Sequence, residues 1–149
     1  MENKKVDITK LLKDGESVWI KPQGSSMYPL IVEGRDSVLI VPLSPERKDV
    51  RVNDILLFRR EGSILVLHRV VKKNKQGVYF VGDNQKETEG PIKYEFLLGK
   101  VEKINRNGHM INVNNIIYKV MMRIWLFLRP VRPMIAKTVH VIKVKIKRI

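Results

Sequence analysis

Cysteine is absent from this chain, and histidine occurs only three times, as His68, His109 and His140. The lack of cysteine excludes a disulfide framework, a cysteine nucleophile and thiolate ligands for zinc. The histidines have no spacing typical of a metal site, so we expect neither a metal nor a cofactor. No apolar window of roughly 18 residues occurs, and the first seven residues contain no apolar run, which predicts a chain that begins in the cytoplasm.

Negative charge is also scarce, with 15 acidic against 29 basic residues and a formal net charge of +14. Nine basic residues and no acidic one lie within 118–149. Interleaved basic and apolar residues are typical of a segment that contacts a membrane surface or nucleic acid, and nucleic acid is the less favoured partner. We predict a short N-terminal helix over 1–16, one β domain over 17–115 and a basic amphipathic tail over 116–149.

Short apolar or β-branched runs separated by turn residues dominate the middle of the chain. Their positions are 18–20, 38–41, 55–58, 64–71, 78–81 and 97–104. Asn107-Gly108 predicts a hairpin between 101–104 and 110–113. Many short strands with close turns favour a mainly β fold, either an antiparallel barrel or a sandwich. Before them, the apolar spacing of 7–14 predicts a short helix that ends at Gly15.

The tail has a second helical pattern. Apolar residues recur on one helical face at the positions Val120, Ile124, Phe127, Leu128 and Val131. Pro130 and Pro133 are expected to break or kink that helix. The apolar face is expected either to lie in the headgroup layer of an anionic membrane or to pack on the β domain.

Three short segments contain residues suited to nucleophilic catalysis. Ser26 follows a glycine in Gly24-Ser25-Ser26-Met27-Tyr28-Pro29, which can present its hydroxyl at a turn. His68 lies in a predicted strand, and imidazole is the side chain whose pKa suits a base for serine. Asp83 follows Gly82 and can orient an imidazole. Taken singly, each segment is more often a polar loop, a core histidine or a plain turn.

Taken in order, these segments and Asn53-Asp54-Ile-Leu-Leu-Phe resemble the signal peptidase I and LexA-like superfamily of serine peptidases, over about 18–104. The histidine in place of lysine is similar to the His-type signal peptidases. The resemblance implies a β-barrel or sandwich with Ser26 as nucleophile, His68 as general base and Asp83 as the orienting carboxylate.

Parts of that assignment stay open. Glu87 and Glu89 are alternatives to Asp83, because the acidic partner in His-type enzymes can lie beyond the Gly-Asp-Asn turn. The oxyanion is expected to bind the Ser26 N–H with help from Ser25. Many relatives have a second hydroxyl where this chain has Gly24, and a transmembrane anchor that is not evident here.

The expected function is a serine endopeptidase that cleaves a peptide or a precursor protein. A self-cleaving, DNA-binding regulator is less favoured, because 25 residues precede Ser26 and the only alanine is Ala136. A non-catalytic module whose basic tail binds anionic membrane or nucleic acid is the remaining alternative.

Overall fold

A computed structural model describes residues 7–147. Within that range the strands are β1 (Val18–Ile20), β2 (Asp36–Pro42), β3 (Ile55–Arg60), β4 (Ile64–Asn74), β5 (Gly77–Val81), β6 (Glu89–Ile92), β7 (Leu97–Arg106) and β8 (His109–Asn112). The helices are α1 (Ile8–Lys13), α2 (Ile116–Phe127) and α3 (Arg132–Lys147).

The strands form one antiparallel sheet in the order β1-β2-β7-β3-β4-β5-β6. Strand β7 is long enough to pair with β2 along one edge and with both β3 and β8 along the other. The prediction of a mainly β fold is therefore confirmed.

Strand β3 lies at the centre of the sheet and is buried on both faces. Because successive side chains of a strand point to opposite faces, Ile55 and Leu57 join one hydrophobic cluster while Leu56 and Phe58 join another. His68 on β4 is the register partner of Leu56. His68 therefore stands next to the buried central strand of the sheet.

Local signals explain several element boundaries. The Asp7 carboxylate caps α1 by accepting from the Lys10 N–H at 3.2 Å. Asn107 and Gly108 both have positive φ, and they join β7 to β8 as the predicted hairpin turn. Strand β6 was not predicted, because its Gly90-Pro91 is typical of a turn.

The predicted break in the tail is confirmed. A single turn of 3-10 helix at Arg129–Val131 separates α2 from α3. Helix α3 extends through most of 141–149, for which no structure was predicted, while 148–149 and the first six residues lie outside the described range. Among the described helices, none combines the length and the hydrophobicity that a membrane crossing requires.

Candidate active site

Ser26 lies in an irregular loop between β1 and β2. Gly24 adopts a φ of +84°, which favours glycine, and its N–H donates to the Glu33 carboxylate at 2.9 Å. Met27 and Ile31 are buried in the core on the far side of the loop. Ser26 is half-buried, and within residues 7–147 its N–H donates to no protein group. An unpaired N–H beside a serine hydroxyl is available to bind an oxyanion.

The predicted Gly82-Asp83-Asn84 turn holds this loop in place. The Asn84 N–H donates to the Ser26 carbonyl at 2.8 Å, and the Asn84 side-chain amide donates to the Ser25 carbonyl at 3.2 Å. A Cβ on Gly82 would lie 2.6 Å from the Ser26 carbonyl oxygen. Glycine is required at 82 because the two backbones approach so closely.

His68 is paired with a carboxylate. Its side chain is 4% exposed, and Nδ1 lies 2.6 Å from Oε1 of Glu89 on β6. Arg60, at the end of β3, donates to both Glu89 oxygens through Nη2, at 2.9 and 2.7 Å. A carboxylate against Nδ1 favours the tautomer with the proton on that nitrogen, which leaves the lone pair on Nε2.

Burial lowers the pKa of His68 below its usual value, because desolvation penalises the imidazolium. The hydrogen bond and the negative charge of Glu89 act in the opposite direction and only partly offset the burial. The positive charge of Arg60 lowers the pKa a little further. His68 is consequently neutral at physiological pH, which is the state that a general base requires.

The prediction that Asp83 orients His68 is wrong. Both Asp83 oxygens accept hydrogen bonds from Arg69, at 2.7 Å from Nε and 2.8 Å from Nη2. Both side chains of this ion pair are almost completely buried, and the pairing raises the pKa of Arg69. A buried guanidinium needs a carboxylate partner, so Asp83 is held by its neighbour Arg69 and Glu89 occupies the position beside the imidazole. Glu87, the other alternative, is exposed.

Ser26 and His68 line the same cleft, which has a volume of about 530 Å³. Its wall includes the apolar side chains of Leu57, Leu65 and Leu67. Among the hydrogen bonds of the described residues, none joins Ser26 to His68. In enzymes without substrate, this contact often forms only when the substrate binds.

Ser25, the predicted helper in the oxyanion hole, is exposed next to Ser26. Its carbonyl accepts from the Tyr28 N–H at 3.1 Å as well as from Asn84. The backbone of Ser25 is therefore used to shape the loop.

The outer side of the segment 82–88 is covered by the C-terminal helices. The Trp125 indole N–H donates to the Asp83 carbonyl at 3.2 Å, and Arg132 donates to the same oxygen while stacking on the Trp125 ring at 4.2 Å. Arg129 reaches the Thr88 hydroxyl at 3.2 Å. The segment 82–88 thus contacts the Ser26 loop on one side and the C-terminal helices on the other.

Nothing in the described ranges gathers three His, Asp or Glu side chains into a group that could hold a metal ion. The cleft is instead lined by the Ser26 hydroxyl and the His68 imidazole, and the imidazole contacts the Glu89 carboxylate, which is not part of the cleft lining. Comparison of the chain with protein-family models, curated proteins and solved structures found no match in any of the three.

Proposed function

We propose that this protein is a serine endopeptidase in which Ser26 is the nucleophile, His68 the general base and Glu89 the carboxylate that orients His68. The observation that carries the proposal is the cleft shared by Ser26 and His68, together with the 2.6 Å contact between His68 and Glu89. The order of the sequence motifs, on a mainly β fold, supports a relationship to the signal peptidase I and LexA-like superfamily.

In the proposed reaction, Nε2 of His68 accepts the hydroxyl proton as Oγ of Ser26 attacks the peptide carbonyl carbon. The resulting oxyanion is bound by the Ser26 N–H. The imidazolium, stabilised by Glu89, then returns the proton to the departing amine. Water attacks the acyl-enzyme in the same way, releases the acid and restores the serine.

A substrate strand would find unpaired backbone groups at the edge of the cleft. Strand β4 pairs with β3 from Ile64 onward, but its pairing with β5 begins only at Arg69. Within the described strands, the second edge of 64–68 is unpaired, and residues 65–68 line the cleft. We propose that an extended peptide adds to this edge of β4 and places its scissile bond beside His68.

The proposal is tested with a fluorophosphonate probe, whose phosphorus is attacked by an activated serine with loss of fluoride. We expect stoichiometric labelling that maps to Ser26 by peptide mass spectrometry, and we expect it to be abolished in Ser26→Ala and in His68→Ala. Ser17→Ala and His109→Ala are matched controls, because both residues are exposed and lie outside the cleft.

The proposal is rejected if the folded wild-type protein is not labelled, or if His68→Ala reacts at the wild-type rate. Circular dichroism of each variant separates loss of reactivity from loss of folding.

A further inference from the structure

Helix α2 has two apolar faces, and only one of them packs on the β domain. Met122 is buried, and Tyr118 and Trp125 on the same side are partly buried. The opposite side presents Val120, Ile124 and Phe127, at i, i+4 and i+7, with exposed fractions of 49, 54 and 83%. The apolar face that the sequence predicted is therefore the exposed one. Of the predicted face only Leu128 is half-buried, and the other side of α2, with the buried Met122, packs on the β domain.

Helix α3 also exposes apolar side chains. Among the α3 side chains that the structure describes, the large exposed apolar ones recur at i, i+1, i+7, i+8 and i+12, and so fall within one half of the helix. They are Met134, Ile135, Val141, Ile142 and Ile146. An exposed apolar surface of this extent on two successive helices marks an interaction site.

Charge selects the occupant of this surface. The segment 118–149 carries nine Lys or Arg and no Asp or Glu. A second copy of the same surface would bring like charges together, whereas an anionic lipid surface offers opposite charge and an apolar layer beneath it. The described helices are not suited to span the membrane, so the contact is at its surface.

We propose that α2 and α3 dock the protein on the surface of an anionic membrane, with the side chains of Ile124 and Phe127 in the boundary layer and exposed cations such as Arg123, Lys137 and Lys145 among the headgroups. The Ile124 and Phe127 side chains are on the side of α2 that faces away from the segment 82–88. Docking consequently leaves the contacts of Trp125 with that segment intact. This proposal does not depend on the peptidase activity.

Flotation with unilamellar vesicles tests the proposal. We expect binding to phosphatidylcholine vesicles that contain phosphatidylglycerol, weak binding to phosphatidylcholine alone, and loss of binding at high salt. Lys137→Gln combined with Lys145→Gln should weaken binding about 30-fold, since each surface cation contributes roughly a factor of 5. The control pair Lys13→Gln and Lys75→Gln removes two exposed lysines that lie outside α2 and α3, and it should leave vesicle binding unchanged.

The apolar contribution has its own variant pair. Ile124→Gln with Phe127→Gln should abolish flotation, while Met110→Gln with Phe96→Gln, which changes two exposed apolar residues outside α2 and α3, should not. Circular dichroism and thermal denaturation verify that each variant remains folded.

Three results would overturn the proposal. One is equal binding to neutral and anionic vesicles. Another is a dimer in light scattering that the Ile124 and Phe127 substitutions convert to monomer without any vesicle binding. The third is DNA binding that is stronger than vesicle binding and indifferent to those two apolar substitutions, which would indicate a nucleic-acid surface.

Discussion

Glu89 contacts the imidazole of His68, whereas Asp83 neutralises the buried guanidinium of Arg69. Glu89→Gln and Asp83→Asn should therefore have different effects. Glu89 is 26% exposed, while Asp83 is fully buried. Each substitution removes one negative charge and little volume. The reactivity of Ser26 and the free energy of unfolding should therefore respond to different variants.

Asp83→Asn leaves the guanidinium of Arg69 in the protein interior without a counter-ion. Breaking a buried ion pair in this way costs about 3–5 kcal/mol, a large part of the roughly 5–15 kcal/mol that stabilises a typical domain. For a chain of this size, that loss corresponds to a fall in Tm of about 6–20 °C. Below the new Tm, the folded fraction should still react with the fluorophosphonate probe.

Glu89→Gln should lower the labelling rate at Ser26 strongly and the stability only slightly. The ion pair of Glu89 with Arg60 is partly exposed, so its loss costs less than about 1 kcal/mol. The rate of labelling at Ser26 should fall by about 10²- to 10⁴-fold, because the imidazolium loses its stabilising charge and Nδ1 its defined acceptor. Thermal denaturation and labelling kinetics on the same samples measure both effects. The reasoning is refuted if Asp83→Asn abolishes labelling with little change in Tm while Glu89→Gln labels at the wild-type rate.

Three further predictions follow from the same contacts. Since burial lowers the pKa of His68, the labelling rate should fall to half its plateau at a pH below 6.5. Glu89→Gln should move that midpoint to still lower pH, because a negative charge that raises the pKa of His68 is lost. A midpoint above the ordinary pKa of histidine would contradict the burial argument. Gly82→Ala should lower both Tm and the labelling rate, at a cost of about 1–3 kcal/mol, because its Cβ meets a backbone oxygen at 2.6 Å; unchanged values of both would exclude the tight contact. Trp125→Phe keeps the stacking on Arg132 but removes the N–H donor to the Asp83 carbonyl. We expect chemical denaturation to show a loss of about 1 kcal/mol in the free energy of unfolding, and no change would show that this hydrogen bond does not form in solution.

Much of the sheet could be predicted because its strands are short, β-branched and separated by turn residues. The hairpin at Asn107-Gly108 is the clearest case, since both residues readily adopt the positive φ that the turn needs. Strand β6 was not predicted because its local sequence signal is that of a turn. Its Gly90-Pro91 is a local signal for a turn, and only its pairing with β5, at Glu89 with Phe80 and Ile92 with Val78, makes it a strand.

The carboxylate that contacts His68 was predicted only as one of three alternatives, Asp83, Glu87 and Glu89, and Asp83 was favoured. Asp83 has the sequence context of a catalytic carboxylate, but no local pattern reveals that Arg69, the residue after the histidine, points into the interior and pairs with it. Arg60 and Glu89 are 29 positions apart, and neither stands in a recognisable motif. Their contact depends on the order of strands in the sheet, which local propensities do not contain.

The buried Arg69–Asp83 pair has a structural consequence for the proposed catalytic group. Asp83 lies between Gly82 and Asn84, whose backbones contact the Ser26 loop, and six positions before Glu89. Because β4 carries both His68 and Arg69, one strand fixes the imidazole and, through the ion pair, the turn that supports the nucleophile. A displacement of that turn would move Ser26 and His68 relative to each other. The ion pair therefore stabilises the relative position of the two residues even though neither of its charges contacts the imidazole.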